Sequence, residues 1–135
     1  MAAYFMWTYS DIPTPSQTVP NADLEIISLN DCVLVRPPGP RLDAAGVPAL
    51  KNAVVDLANA GRVRVVMSLV NVTQIDSSGL GALISIHKTL ATSRGRLVLC
   101  DVAASLQPIL KLTRLDRVLV QAADTEAAAA LARAG

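Results

Sequence analysis

From Val72 to Gly81 the chain reads Val72-Thr73-Gln74-Ile75-Asp76-Ser77-Ser78-Gly79-Leu80-Gly81, a passage in which an extended apolar run gives way to a helix. Upstream, Val63, Val65, Val66, Met67 and Leu69 crowd into the span from Arg62 to Leu69, as in a strand buried on both faces. Downstream, the pattern predicts a helix from about Ser77 to Thr92, ended by Ser93-Arg94-Gly95, and then an apolar strand at Leu97-Val98-Leu99-Cys100. Strand, helix and strand thus follow one another.

The same alternation extends both ways. Leu24, Ile26 and Ile27, an Asn30-Asp31 turn and Cys32-Val33-Leu34-Val35 predict a hairpin, and Pro37, Pro38 and Pro40 around Gly39 end it. Val47, Leu50, Val54, Leu57 and Ala58 recur at helical spacing before Asn59-Ala60-Gly61; Pro48 fits only the first turn, so this helix starts nearer Gly46 than Asp43. Leu106 to Leu112 predicts a short helix, Val118-Leu119-Val120 a brief strand, and Thr125 to Arg133 an Ala-rich helix capped by Asp124 or Thr125. The expected fold is a single α/β domain of order β-β-α-β-α-β-α-β-α, with a mixed sheet and about four helices, over residues 22–135. Residues 1–21 contain three prolines among small polar residues and read as a tail.

Composition excludes several functions. The 135 residues carry 12 basic and 11 acidic groups, and a net charge of +1 leaves no electrostatic footprint for nucleic acid. Apolar runs are interrupted every few residues, so neither a signal peptide nor a membrane span is expected, and the protein reads as cytoplasmic. Cys32 and Cys100 lack a C-x-x-C spacing and read as reduced, buried thiols; with one histidine they cannot supply four N or S ligands to zinc, so neither metal nor cofactor is expected. All four aromatic residues, Tyr4, Phe5, Trp7 and Tyr9, precede Ser10, leaving Val, Leu, Ile and Ala to build the core. The aromatic segment is expected to pack on the domain or on another copy in a homodimer, or to be foreign to the natural domain.

Asp76, Ser77 and Ser78 are residue types that cap a helix, because a short side-chain oxygen accepts from the free N–H groups of the first turn. Gly79 and Gly81 follow at once, each costing the helix up to about 1 kcal/mol relative to Ala. On a helical wheel Leu80, Leu83, Ile84, Ile86, Leu90 and Ala91 share one side, while Ser77, Gly81, Ser85, Lys88 and Thr92 form a small, polar stripe opposite. Such a stripe suits close approach by another protein. His87 falls in the apolar sector, about 15 Å of helix away from Ser77, too far to act as its base. No nucleotide-binding or nucleophile-elbow motif is present, so Ser77 is a hydroxyl without catalytic apparatus, and the chain reads as a non-enzyme.

Ile75-Asp76-Ser77-Ser78-Gly79-Leu80-Gly81 resembles the D-S-[ST]-G-L-G signature of STAS domains of the anti-sigma factor antagonist type. The resemblance spans about residues 22 to 134. It takes in the Gly39–Asp43 junction, similar to the family's Gly-x-Leu-Asp turn with an insertion, and Ile109 to Val118. It implies phosphorylation of Ser77 by a serine kinase that is also an anti-sigma factor, release of the sigma factor by the unmodified antagonist, and resetting by a metal-dependent serine phosphatase. Asp76 would order the loop and contact the kinase, Ser78 would be a supporting cap, and Gly79, Gly81, Ser85 and Lys88 would complete the partner surface. Ser68 stands where the family usually has Asp, and Arg114 where it has a small residue. A partner-binding STAS subunit of a stressosome or of a lipid-transport ATPase is the alternative.

Overall fold

The computed structural model describes residues 24–134. In chain order the elements are β1 Glu25–Ser28, β2 Val33–Arg36, β3 Arg41–Leu42, α1 Val47–Asn59, β4 Arg64–Ser68, β5 Gln74–Ile75, α2 Ser77–Thr92, β6 Arg96–Cys100, α3 Gln107–Leu112, β7 Val120–Ala122 and α4 Thr125–Ala134. Five strands form a mixed sheet in the order β1-β2-β4-β6-β7; β1 is antiparallel to β2, and the remaining pairs are parallel.

Alternation along the strands divides the core in two. Val33, Val35, Val65, Met67, Leu97 and Leu99 face α1, α2 and α3, which contribute Leu50, Val54, Leu57, Leu83, Ile86, Leu90 and Leu110. On the opposite face Leu34, Val66 and Val98, with Cys32 and Cys100, lie against Ala128, Ala129 and Ala132 of α4. Strands covered on both sides need apolar side chains at consecutive positions, which is why β4 and β6 read as unbroken apolar runs. Among the described residues both clusters are built without an aromatic ring.

The mixed α/β architecture and its four helices match the expectation. The α1 N-cap is Gly46 with Pro48 in the first turn, and α2 spans Ser77–Thr92. At α4 the Asp124 carboxylate accepts the Ala127 N–H at 2.9 Å, so Asp124 is the cap. Three details differ. The last strand is Val120–Ala122 rather than Val118–Val120, because the N–H groups of Val118 and Leu119 both return to Leu115 O and hold that stretch in a turn. The third helix begins at Gln107, after a 3-10 turn at Ala104–Leu106. A second, two-stranded sheet pairs β3 with β5 in parallel, Arg41 beside Gln74 and Leu42 beside Ile75. The expected tail, residues 1–21, and its aromatic segment lie outside the described residues.

Candidate functional site

The site is built where β5 hands over to α2. Asp76 is extended (φ −97°, ψ −174°), its backbone carbonyl accepts from Leu80 N–H at 3.0 Å, and its carboxylate accepts from Gly79 N–H at 2.9 Å. The carbonyl thus accepts the first intrahelical bond and the carboxylate satisfies one free donor of the first turn, so the capping role is Asp76's rather than Ser78's. Ser77 and Ser78 are left exposed, and Ser77 Oγ makes no hydrogen bond to another described residue.

The backbone entering this turn is held from below by the Gly39–Asp43 junction. Pro40 O accepts from Thr73 N–H at 2.8 Å and Gln74 N–H at 3.1 Å, and Leu42 O accepts from Asp76 N–H at 3.3 Å. Ser105 Oγ adds a bond to Thr73 O at 3.2 Å. Pro40, Leu42 and Ser105 are the positioning residues that sequence reasoning missed, although the resemblance at Gly39–Asp43 pointed to two of them. Gly39 packs where a Cβ would lie 1.5 Å from Asn71 O, so no other residue fits that crossing without moving the loop.

The two motif glycines have different roles. A Cβ on Gly79 would lie 2.4 Å from Leu42 O and 2.9 Å from Ile75 Cγ2: this residue is buried and lets α2 settle onto β3. Gly81 is exposed with nothing within 4 Å of its missing Cβ. It opens a shallow groove of about 450 Å³ lined by Gly81, Ile84, Ser85, Lys88, Thr89 and Thr92. From Gly81 to Thr92 the polar stripe is thus one wall of this groove, one turn below Ser77. Leu80, Leu83, Ile86 and Leu90 are buried, Ile84 and His87 half-buried, and Ala91, placed on the apolar side by the wheel, is exposed.

Ser68, the fully buried polar residue of the described core, donates to Asp101 Oδ2 at 2.7 Å. A carboxylate is thereby present at the end of β4, supplied from the end of β6. Arg114 has φ 62°, a left-handed conformation that a small residue such as glycine occupies with less strain. Cys32 and Cys100 are buried free thiols, and burial pushes both above the ordinary thiol value of 9.0.

A profile of the STAS domain matches residues 23–129, which takes in the whole sheet, the capped Asp76 and the groove. The chain belongs to the STAS domain family. A curated relative from Thermotoga maritima, described as a candidate anti-sigma factor antagonist, is 31% identical to this STAS domain over 90 residues, covering 66% of this chain and 80% of the relative. A crystal structure of a T. maritima protein described in the same way superposes with a TM-score of 0.75 at 25% identity, covering 82% of this chain and 94% of the other. The phosphorylated form of the Bacillus cell fate determinant SpoIIAA superposes with a TM-score of 0.61 at 19% identity, covering 83% and 99%, and shares the fold. Among the described residues of the STAS domain no helix is long and apolar enough to cross a membrane, and no group of three metal-capable side chains gathers.

Proposed function

We propose that this STAS domain is an anti-sigma factor antagonist whose binding state is set by phosphorylation of Ser77. The observation that carries the reading is the Ser77 hydroxyl, exposed and unbonded to other described residues at the first position of a 16-residue helix, on a backbone pinned by Asp76 and Leu42. The described T. maritima relative supports the role. The partner is an anti-sigma factor that is also a serine kinase, and a metal-dependent serine phosphatase reverses its action. Asp76, Ser77, Ser78, Gly81, Ser85 and Lys88 form the contact surface; Gly79 acts from beneath by letting the helix sit close to Leu42.

A phosphate on Ser77 would add about −1.5 to −2 charges. The helix N-terminus favours an anion within this molecule, so the domain stays folded. For a partner seated over the serine, the same group is a steric and electrostatic obstacle beside the Asp76 carboxylate. Loss of about 3 kcal/mol at such an interface lowers affinity more than about a hundredfold. A local change of charge suffices as the switch.

Incubation with the cognate kinase and ATP is expected to add one phosphate, located at Ser77 by mass spectrometry, and Ser77→Ala to abolish it. Labelling that persists in Ser77→Ala overturns the assignment. Ser77→Asp is expected to weaken kinase binding about tenfold or more with the melting temperature nearly unchanged; binding as tight as wild type overturns the switch.

A further inference from the structure

The near-zero net charge of this chain conceals a strongly bipolar molecule. Because β2, β4, β6 and β7 are parallel, their starts share one end of the sheet, and helices returning from strand to strand finish there. Arg62, Arg64, Arg94 and Arg96 lie at the starts of β4 and β6, and Arg64 pairs with Arg96 as cross-strand neighbours. Arg114, Arg117 and Arg133 join them at the ends of α3, of the turn before β7, and of α4. Among the described residues Asp31, Asp56 and Asp116 offset them there. At the opposite end, around Ser77, lie Glu25, Asp43, Asp76, Asp101, Asp124 and Glu126, against Arg36 and Arg41.

Helix capping explains part of this polarity. Asp76 and Asp124 cap helix N-termini, and an Arg64 guanidinium N–H donates to Arg133 O at the C-terminus of α4. Arg62 donates to Leu29 O and Cys32 O. Arg94, Arg96, Arg114 and Arg117 have no such role. Among the described residues the one ion pair is Arg36–Glu25, at the other end. Arg94, Arg114 and Arg117 are exposed. Like charges on adjacent strands, with no carboxylate paired to them among the described residues, favour an anionic counterpart.

We propose that the arginine end of one STAS domain docks on the acidic end of a second copy, head to tail. The chain itself carries the complementary surface. A head-to-tail contact between unlike patches is heterologous and open-ended, so it yields chains of molecules rather than a closed dimer. Each contact covers Ser77 of one copy, and the association is tested without any kinase.

Sedimentation velocity of the full chain decides it. The sedimentation coefficient is expected to rise with protein concentration at about 0.01 M salt, where the Debye length is about 30 Å, and to lose that dependence at about 1 M, where it is about 3 Å. Arg94→Glu with Arg117→Glu, or Asp43→Lys with Glu126→Arg, is expected to weaken association about tenfold or more, while an equal mixture of the two double variants restores it. Thermal melts confirm that each variant is folded. A monomer at low salt, association insensitive to salt, or double variants that associate like wild type overturns the proposal. So does a monomer that binds a polyphosphate through the arginine end.

Discussion

A methyl group on Gly79 would press 2.4 Å from Leu42 O, whereas one on Gly81 would meet nothing within 4 Å. Gly79→Ala is therefore expected to destabilise the domain by about 1–3 kcal/mol, as overpacking does. Gly81→Ala relieves an exposed helical glycine and is expected to raise stability by about 0.8–1 kcal/mol, measured by urea unfolding, while weakening the partner's grip on the groove. Both glycines were legible as a signature; their separate reasons were not, because Leu42 is remote in sequence and reaches Gly79 only through β3. The cysteines add a pH dependence. Desolvation raises both thiols, partly opposed by Arg133 at Cys32 and by the Thr125 hydroxyl at Cys100. The folded chain then holds protons that the unfolded chain releases, so stability falls as pH rises above the ordinary thiol value of 9.0. Melting temperatures measured from pH 7 to 10 are expected to fall less steeply in Cys32→Ala with Cys100→Ala.

At the scale of elements, α4 covers its face of the sheet with Ala128, Ala129 and Ala132, the first and last fully buried. Alanine lets the helix lie close to Val66, Val98 and Cys100, so Ala128→Leu is expected to cost about 1–3 kcal/mol by overpacking, read by chemical denaturation. The main helices and strands were legible because their periods persist over several residues, as in Leu80, Leu83, Ile86 and Leu90 of α2. The β3–β5 pair was not: two residues per strand carry no period, and Leu42 meets Ile75 only across the loops. The last strand was misplaced by two residues for a related reason. Val118 is apolar but 45% exposed, ending a turn closed on Leu115, a bond that hydropathy does not register.

At the scale of the whole molecule, charge shows the widest gap between sequence and structure. A total of +1 argues against nucleic-acid binding, yet it does not reveal that arginines collect at one end and carboxylates around Ser77 at the other. That separation arises because parallel strands align all their starts, and local capping preferences then add up instead of cancelling. The sequence by itself determined the alternation of strands and helices, the Val, Leu, Ile and Ala of the described core and the motif Asp76-Ser77-Ser78-Gly79-Leu80-Gly81, since each depends on short-range periodicity or on residues a few positions apart. Only the tertiary structure decided that Leu42 and Pro40 hold the turn beneath Ser77, that Asp101 serves Ser68, and that the molecule has two oppositely charged ends. Those features join residues separated by tens of positions, and their chemistry exists only once the chain has brought them together.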